Sequence, residues 1–233
     1  MQYQHLFKEI ARLAGLHFTH DIRIEYSDER RKGLLIMVDA GIFLGGSQVN
    51  KLDYKPWPEM AKGQALSLRA KECLHPVDKS ITDMLGDYFP SDREIVIYKK
   101  VCETTAELLG VGYGALEYVV ALHEITHAVT HLGEESFPGS GIIWDFFPEA
   151  DLWDKELFAQ IYPLFHFQQR DEQEALDVFQ KLSMNQHAIY NSWQVYQYFP
   201  LVEINTLLSL TRLKRFCVWV DLDSSVPTPS PDP

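Results

Sequence analysis

Cysteine is scarce in this sequence: only Cys73, Cys102 and Cys217 occur, an odd number with no CxxC pair. That excludes a disulfide framework and a cysteine-based zinc site, and leaves the three as buried apolar thiols. Positive charge is also short, with 21 Lys and Arg against 33 Asp and Glu and a formal charge of −12. Such a surface repels phosphate backbones and anionic lipid, so nucleic acid and membrane surfaces are not expected partners. No run of about 18 apolar residues occurs that would span a bilayer. The opening "MQYQHLFKEIARLAGLHF" lacks the basic start and continuous apolar core of a signal peptide. A cytoplasmic chain is the expectation. There is no repeat of fixed period, and "SSVPTPSPDP" carries no apolar residue beyond Val226.

What is present is ordinary globular composition, 46% hydrophobic and 23% charged over 233 residues. One domain over 1–222 is expected, with an N-terminal α/β part at about 1–112, a helical part at about 113–222 and a disordered tail at 223–233. Leu6, Ile10, Leu13 and Leu16 recur at helical spacing. "IRIEY" (22–26), "GLLIMVDAGIFLGG" (33–46) and "REIVIYKK" (93–100) read as strands of a small mixed or antiparallel sheet. Residues 50–92 carry four prolines and no sustained period, and read as loops with short helices around "KGQALSLRAKECL" and "SITDMLGDYF". "KVCETTAELLG" is a short helix with Gly110 as its stop. Apolar positions from Leu116 to Leu132 recur at threes and fours, so a helix runs to Gly133. Helices at 150–167, 171–184 and 201–215 follow, the first bent or broken by Pro163.

The end of the central helix reads "ALHEITHAVTHLG". His123 and His127 are four residues and roughly 6 Å apart on one face, so two imidazole nitrogens can converge on one ion. His131 lies eight residues from His123, a rise of about 12 Å, and cannot share that ion without the helix unwinding. It is expected as a residue beside the site or exposed near the helix end. Glu124 stands at the edge of the pair, where its carboxylate can take a proton from a water instead of holding the metal. This is the HExxH pattern. By chance it arises in about one or two per hundred chains of this length, and here it lies in an amphipathic helix with Leu122, Ile125 and Val129 as packing partners.

A catalytic zinc site takes three protein ligands and keeps one position open, so a further carboxylate or histidine must come from elsewhere. Glu156 in "DLWDKELFAQIYPLF" has Leu152, Trp153 and Ala159 as helical neighbours, a mainly apolar stripe on which an unpaired carboxylate is costly. Glu149, Asp145, Glu172 and Glu174 compete with it, the last two within the charged run "RDEQE". The order of "EIVIYKK", "VCETTAELLG", "YVVALHEITHAVTHL", "KELFAQIY" and "VFQKLSMNQHAIYNSW", over about residues 93–195, resembles the zincin metallopeptidases, and among them small bacterial and phage proteins of gluzincin type. In proteins of this order a Glu followed three residues later by "AQ" supplies the third zinc ligand. The resemblance therefore implies His123, His127 and Glu156 as ligands of Zn²⁺ and Glu124 as general base. The chain departs from the metzincin pattern and from the thermolysin-like ExxxD pattern.

A peptidase also needs a donor for the oxyanion formed when water attacks a carbonyl. Tyr190 and His187 are the candidates, each with a structural reading beside it, since a Tyr near Trp193 packs readily in a core. The expectation is an α+β, zincin-like fold acting on a peptide or protein substrate. Its "EIVIY" strand would lie at the sheet edge and pair with extended peptide. Loop 133–150, with its glycines and prolines, is the kind that lies over a site. Two alternatives use the same residues: a metal-binding domain without hydrolysis, closed by a fourth ligand such as His131 or Glu149, and a helical interaction module. The aromatics of 144–167 fit core packing better than an interaction surface.

Overall fold

The computed structural model describes residues 3–26, 34–39, 85–135, 144, 146–186 and 188–219. The expected helix near "KGQALSLRAKECL", His187, Asp145, Cys73 and the tail 223–233 lie outside the described residues.

Helix α1 (Gln4–Ala14) buries Leu6, Phe7, Ile10 and Leu13, and Gly15 ends it in the left-handed region at φ 68°. Strands β1 (Leu16–His17), β2 (Asp21–Tyr26) and β3 (Leu34–Asp39) follow, then β4 (Gly86–Phe89), β5 (Glu94–Ile97) and α2 (Lys99–Leu109), which Gly110 stops at φ 62° as expected. Helix α3 (Tyr113–Leu132) carries the histidine motif, and β6 (Glu134–Glu135) pairs back on β1. The rest is helical: α4 (Leu152–Gln169), α5 (Gln173–Met184), a 3₁₀ turn (Ala188–Asn191), α6 (Trp193–Tyr196) and α7 (Leu201–Trp219). The fold is thus mixed and mostly helical, with seven α-helices and small antiparallel sheets among the described residues. None of those helices is long and apolar enough to cross a membrane.

Helix α3 is central. It touches α1, α2, α4, α5 and strands β4 and β5. Leu116, Leu122, Ile125, Ala128 and Val129 are fully buried, so apolar residues line most of its circumference, as in a helix enclosed by its neighbours. Full burial of one such Leu or Ile contributes about 1.5–3 kcal/mol, and truncating Leu122 to Ala costs about 2–5 kcal/mol. The helix ends where Gly133 passes so close to Val129 that a Cβ would stand 2.6 Å from its carbonyl oxygen. Arg212 of α7 donates to the Gly133 carbonyl and pairs with Glu135 at 3.3 Å, which ties that end to the C-terminal helix.

The larger sheet has the order β2-β3-β5-β4, all antiparallel. Two expectations change here. "EIVIY" is not an edge: β5 pairs with both β3 and β4, and Ile95, Val96 and Ile97 are all buried, as a strand covered on both faces requires. Among the described residues the edge beside α3 is β4, formed by residues 86–89 of the segment expected to be a short helix. Nor does Pro163 break its helix, because α4 runs through it with Pro163 buried. An interior proline costs about 3 kcal/mol, which the burial of Phe158, Ile161, Tyr162, Leu164 and Phe167 in the same helix offsets.

Candidate metal centre

Two helices build the site. On α3, His123 and His127 project from one face, with ring centroids 4.8 Å apart and their Nε2 atoms 3.2 Å apart. Glu156 approaches from the second turn of α4 and offers one oxygen to each ring, Oε2 at 3.2 Å from His123 Nε2 and Oε1 at 3.5 Å from His127 Nε2. Helix α4 starts in register for this because Asp151 caps it, its carboxylate accepting the N–H of Trp153 at 2.8 Å. All three residues lie at the buried junction of α3 and α4.

The donor set fits a divalent cation. Ligand atoms 2.0–2.1 Å from a tetrahedral ion stand about 3.3–3.4 Å from one another, close to the separations found here. Two imidazole nitrogens and a carboxylate facing inward also leave an excess of electron pairs. His127 Nδ1 is buried without a hydrogen-bond partner among the described residues, and the buried Glu156 carboxylate has the two imidazole rings beside its oxygens.

Electrostatics separate the two glutamates. Burial works against the charge on Glu156, yet the two histidines outweigh it and hold the carboxyl far below the usual range. Glu124 is the reverse: burial pushes its carboxyl up to about 8, with the His123 charge pulling it down and Glu156 and Asp87 adding to the rise. Burial opposes charge on His123 as well, but the Glu156 contact shifts it upward overall, whereas burial prevails at His127 and shifts it downward. Glu124 still comes near, its carboxylate within 4.8 Å of the ligating atoms of both histidines.

Of the other candidates, Tyr190 joins the cluster. The 3₁₀ turn holds its ring 6.1 Å from that of His123, half-buried, and burial together with Glu156, Glu124 and Asp87 raises its hydroxyl so that it keeps its proton. Glu149 and Glu174 are exposed. Glu172 accepts from Tyr118 at 2.8 Å and from Arg170 at 2.9 Å, in a separate network.

His131 does not sit exposed at the helix end, as one expectation had it. It is buried, stacks on Phe147 with centroids 5.0 Å apart, and shares a 2.7 Å hydrogen bond between its Nδ1 and the Tyr88 hydroxyl of β4. Burial first, then the charges of Arg93 and Arg212, lower its pKa to about 3, so the ring is neutral and shares this bond with the Tyr88 hydroxyl as an uncharged pair. The third histidine thus clamps the edge strand to the motif helix. Phe147, at the returning end of the 133–150 loop, also packs edge-on against His127 at 5.9 Å and against Tyr88 at 5.8 Å.

Four contributors carried no signal in the sequence taken alone. Gln160 brings its side-chain amide to 3.3 Å from His123 Nδ1. Gly86 of β4 packs so tightly on α3 that an added Cβ would lie 3.0 Å from Glu124 Cγ and 2.9 Å from Val120. Tyr88 and Phe147 complete the wall. A glycine within a strand marks such a close approach only once the strand and its partner are known. No protein-family model, curated protein or solved structure matches this chain.

Proposed function

We propose that this chain is a zinc-dependent hydrolase of peptide bonds with a zincin-like arrangement of helix and sheet. His123, His127 and Glu156 hold Zn²⁺. The observation that carries the reading is the convergence of two Nε2 atoms and one carboxylate within 3.2–3.5 Å, with a second, differently tuned glutamate beside them. Bound zinc supplies Lewis-acid chemistry, lowering the pKa of a water and polarising a carbonyl.

The residues do the rest. A Glu124 carboxylate oxygen takes the proton of the attacking water and hands it to the leaving amine. Burial makes that carboxylate a strong base, and since the nearby positive charge of His123 already favours its ionised form, a cation in the cluster acts in the same direction. Tyr190 holds a phenolic proton beside His123 and donates it as a hydrogen bond to the oxygen that gains charge. Strand β4, at the sheet edge, offers backbone groups to an extended peptide, in place of "EIVIY".

A second reading rests on the proximity of Glu124 to both histidines: a closed structural site with Glu124 as fourth ligand. Glu124→Gln separates the two. The hydrolytic reading expects zinc affinity to persist while cleavage of a peptide library falls by about 10²–10⁴-fold. A loss of zinc affinity in that variant, with no cleavage by wild type, is the structural outcome.

A further inference from the structure

The two histidines of the cluster are held differently. Behind His123 stands a polar group, the Gln160 amide at 3.3 Å from Nδ1. Behind His127 there is none: its Nδ1 is buried, and no described residue reaches it with a hydrogen bond. A metal-ligating imidazole is ordinarily oriented by a hydrogen bond at its second nitrogen, and losing that partner weakens the hold on the ion. At His127 packing must set the direction instead. Its ring lies edge-on to two others, His123 at 4.8 Å between centroids and 88° between planes, and Phe147 at 5.9 Å and 72°. Of these two rings only Phe147 comes from outside α3.

Phe147 is itself firmly held. It is 4% exposed, stacks on His131 at 5.0 Å with 20° between planes, and meets Trp144 and Tyr88 edge-on at 5.2 and 5.8 Å. Lys155 Nζ lies over the ring, 5.4 Å from its centroid. These separations fall in the range of about 4.5–7 Å that aromatic pairs prefer. The backbone is fixed as well, the Phe147 N–H donating to the Trp144 carbonyl at 2.9 Å and the Phe147 carbonyl accepting from Ala150 at 3.2 Å. Contacts from α3, β4, α4 and the turn before α4 therefore meet on one ring, which cannot rotate without disturbing several of them.

We propose that Phe147 is a positioning residue of the metal centre: its ring, packed against both His127 and His131, takes the place of a hydrogen bond in setting the direction of the His127 imidazole. The proposal rests on the reading of His127 as a zinc ligand, and it concerns the direction of the ring. Core filling alone predicts something else. A ring that only fills space lowers stability when removed and leaves the folded chain its affinity for zinc. A positioning ring, once removed, lets His127 turn away from the place it shares with His123 and Glu156, and affinity falls too.

The test compares Phe147→Leu with Phe179→Leu in the full chain, by zinc affinity from chelator competition and by melting of the metal-free protein. Phe179 is a suitable control because it is buried as deeply, at 3% exposure, and packs on Phe167 and Trp193 instead of on the cluster. The expected result is zinc binding about 10–100-fold weaker in Phe147→Leu, wild-type affinity in Phe179→Leu, and a lowered melting temperature in both. Should Phe147→Leu not fold, Phe147→Met, whose flexible chain fills the gap without a flat ring, takes its place with the same expectation. Wild-type affinity in the Phe147 variant overturns the proposal, as does an equal loss in the Phe179 variant, and in both cases the metal reading stands. A wild-type chain that binds no zinc overturns the metal reading and the proposal together.

Discussion

Helices α3 and α4 meet at two clusters of histidine and glutamate, and only one resembles a metal centre. At the first, His123 and His127 share Glu156, and their nitrogens and oxygens point at one place. At the second, ten residues and about 15 Å further along α4, His166 puts Nδ1 3.4 Å from Glu9 and Nε2 3.7 Å from Glu172. Those are opposite sides of one ring. Tyr118 donates to Glu172, and Arg170 pairs with both glutamates, at 3.0 Å to Glu9 and 2.9 Å to Glu172. Composition is nearly the same; direction differs. The second cluster carries its own cation in Arg170 and ties α1, α3, α4 and α5 together, while the first turns its nitrogens and oxygens toward one place.

The sharpest way to break the comparison is to neutralise one carboxylate in each cluster. Glu156→Gln should cost zinc affinity more than the roughly 10–100-fold that residues behind the ligands carry. Glu172→Gln should leave affinity as in wild type, both read by chelator competition. Equal losses in the two variants would mean that convergence is not what matters.

A smaller effect sharpens the role of His131, the histidine of α3 that belongs to neither cluster. Tyr88→Phe leaves its buried Nδ1 without this partner and should cost about 1–3 kcal/mol in chemical denaturation. The pH dependence follows from the same contact. The folded pKa of His131, about 3, lies below its ordinary 6.5, so the stability from its neutral ring is complete above pH 6.5. It is lost as the pH falls through about 3, with a slope of at most about 1.4 kcal/mol per pH unit for one proton. Replacing His131 with Gln, which can donate or accept but does not titrate, should flatten that part of the curve. The smallest effect belongs to the second cluster: Arg170 is half-exposed, and Arg170→Gln should change stability by about 0–1 kcal/mol.

Long periods were legible and close approaches were not. The threes and fours of α3 and the apolar stripes of α4 and α5 survive into the structure because helix burial repeats over many residues. The i, i+4 histidines were legible for the same reason. Strand β4 was hidden because its inward positions are Gly86 and Tyr88, a glycine required by contact with Glu124 and Val120 and a tyrosine aimed at His131. Neither makes an apolar alternation. The central place of β5 did have a signal, three consecutive apolar residues at 95–97, as a strand buried on both faces carries. His131 was misplaced because its partner lies 43 positions away on that unrecognised strand. Pro163 follows a local rule that tertiary packing overrides.

The central claim is that the His123, His127 and Glu156 cluster is a site for one divalent cation. Calorimetric titration of zinc into the chelator-treated, dialysed wild-type chain, repeated with His127→Ala, tests it most directly. The account predicts about one tight equivalent in wild type, absent in the variant while the fold persists by circular dichroism. No heat of binding in wild type, or an equal stoichiometry and affinity in His127→Ala, would contradict it.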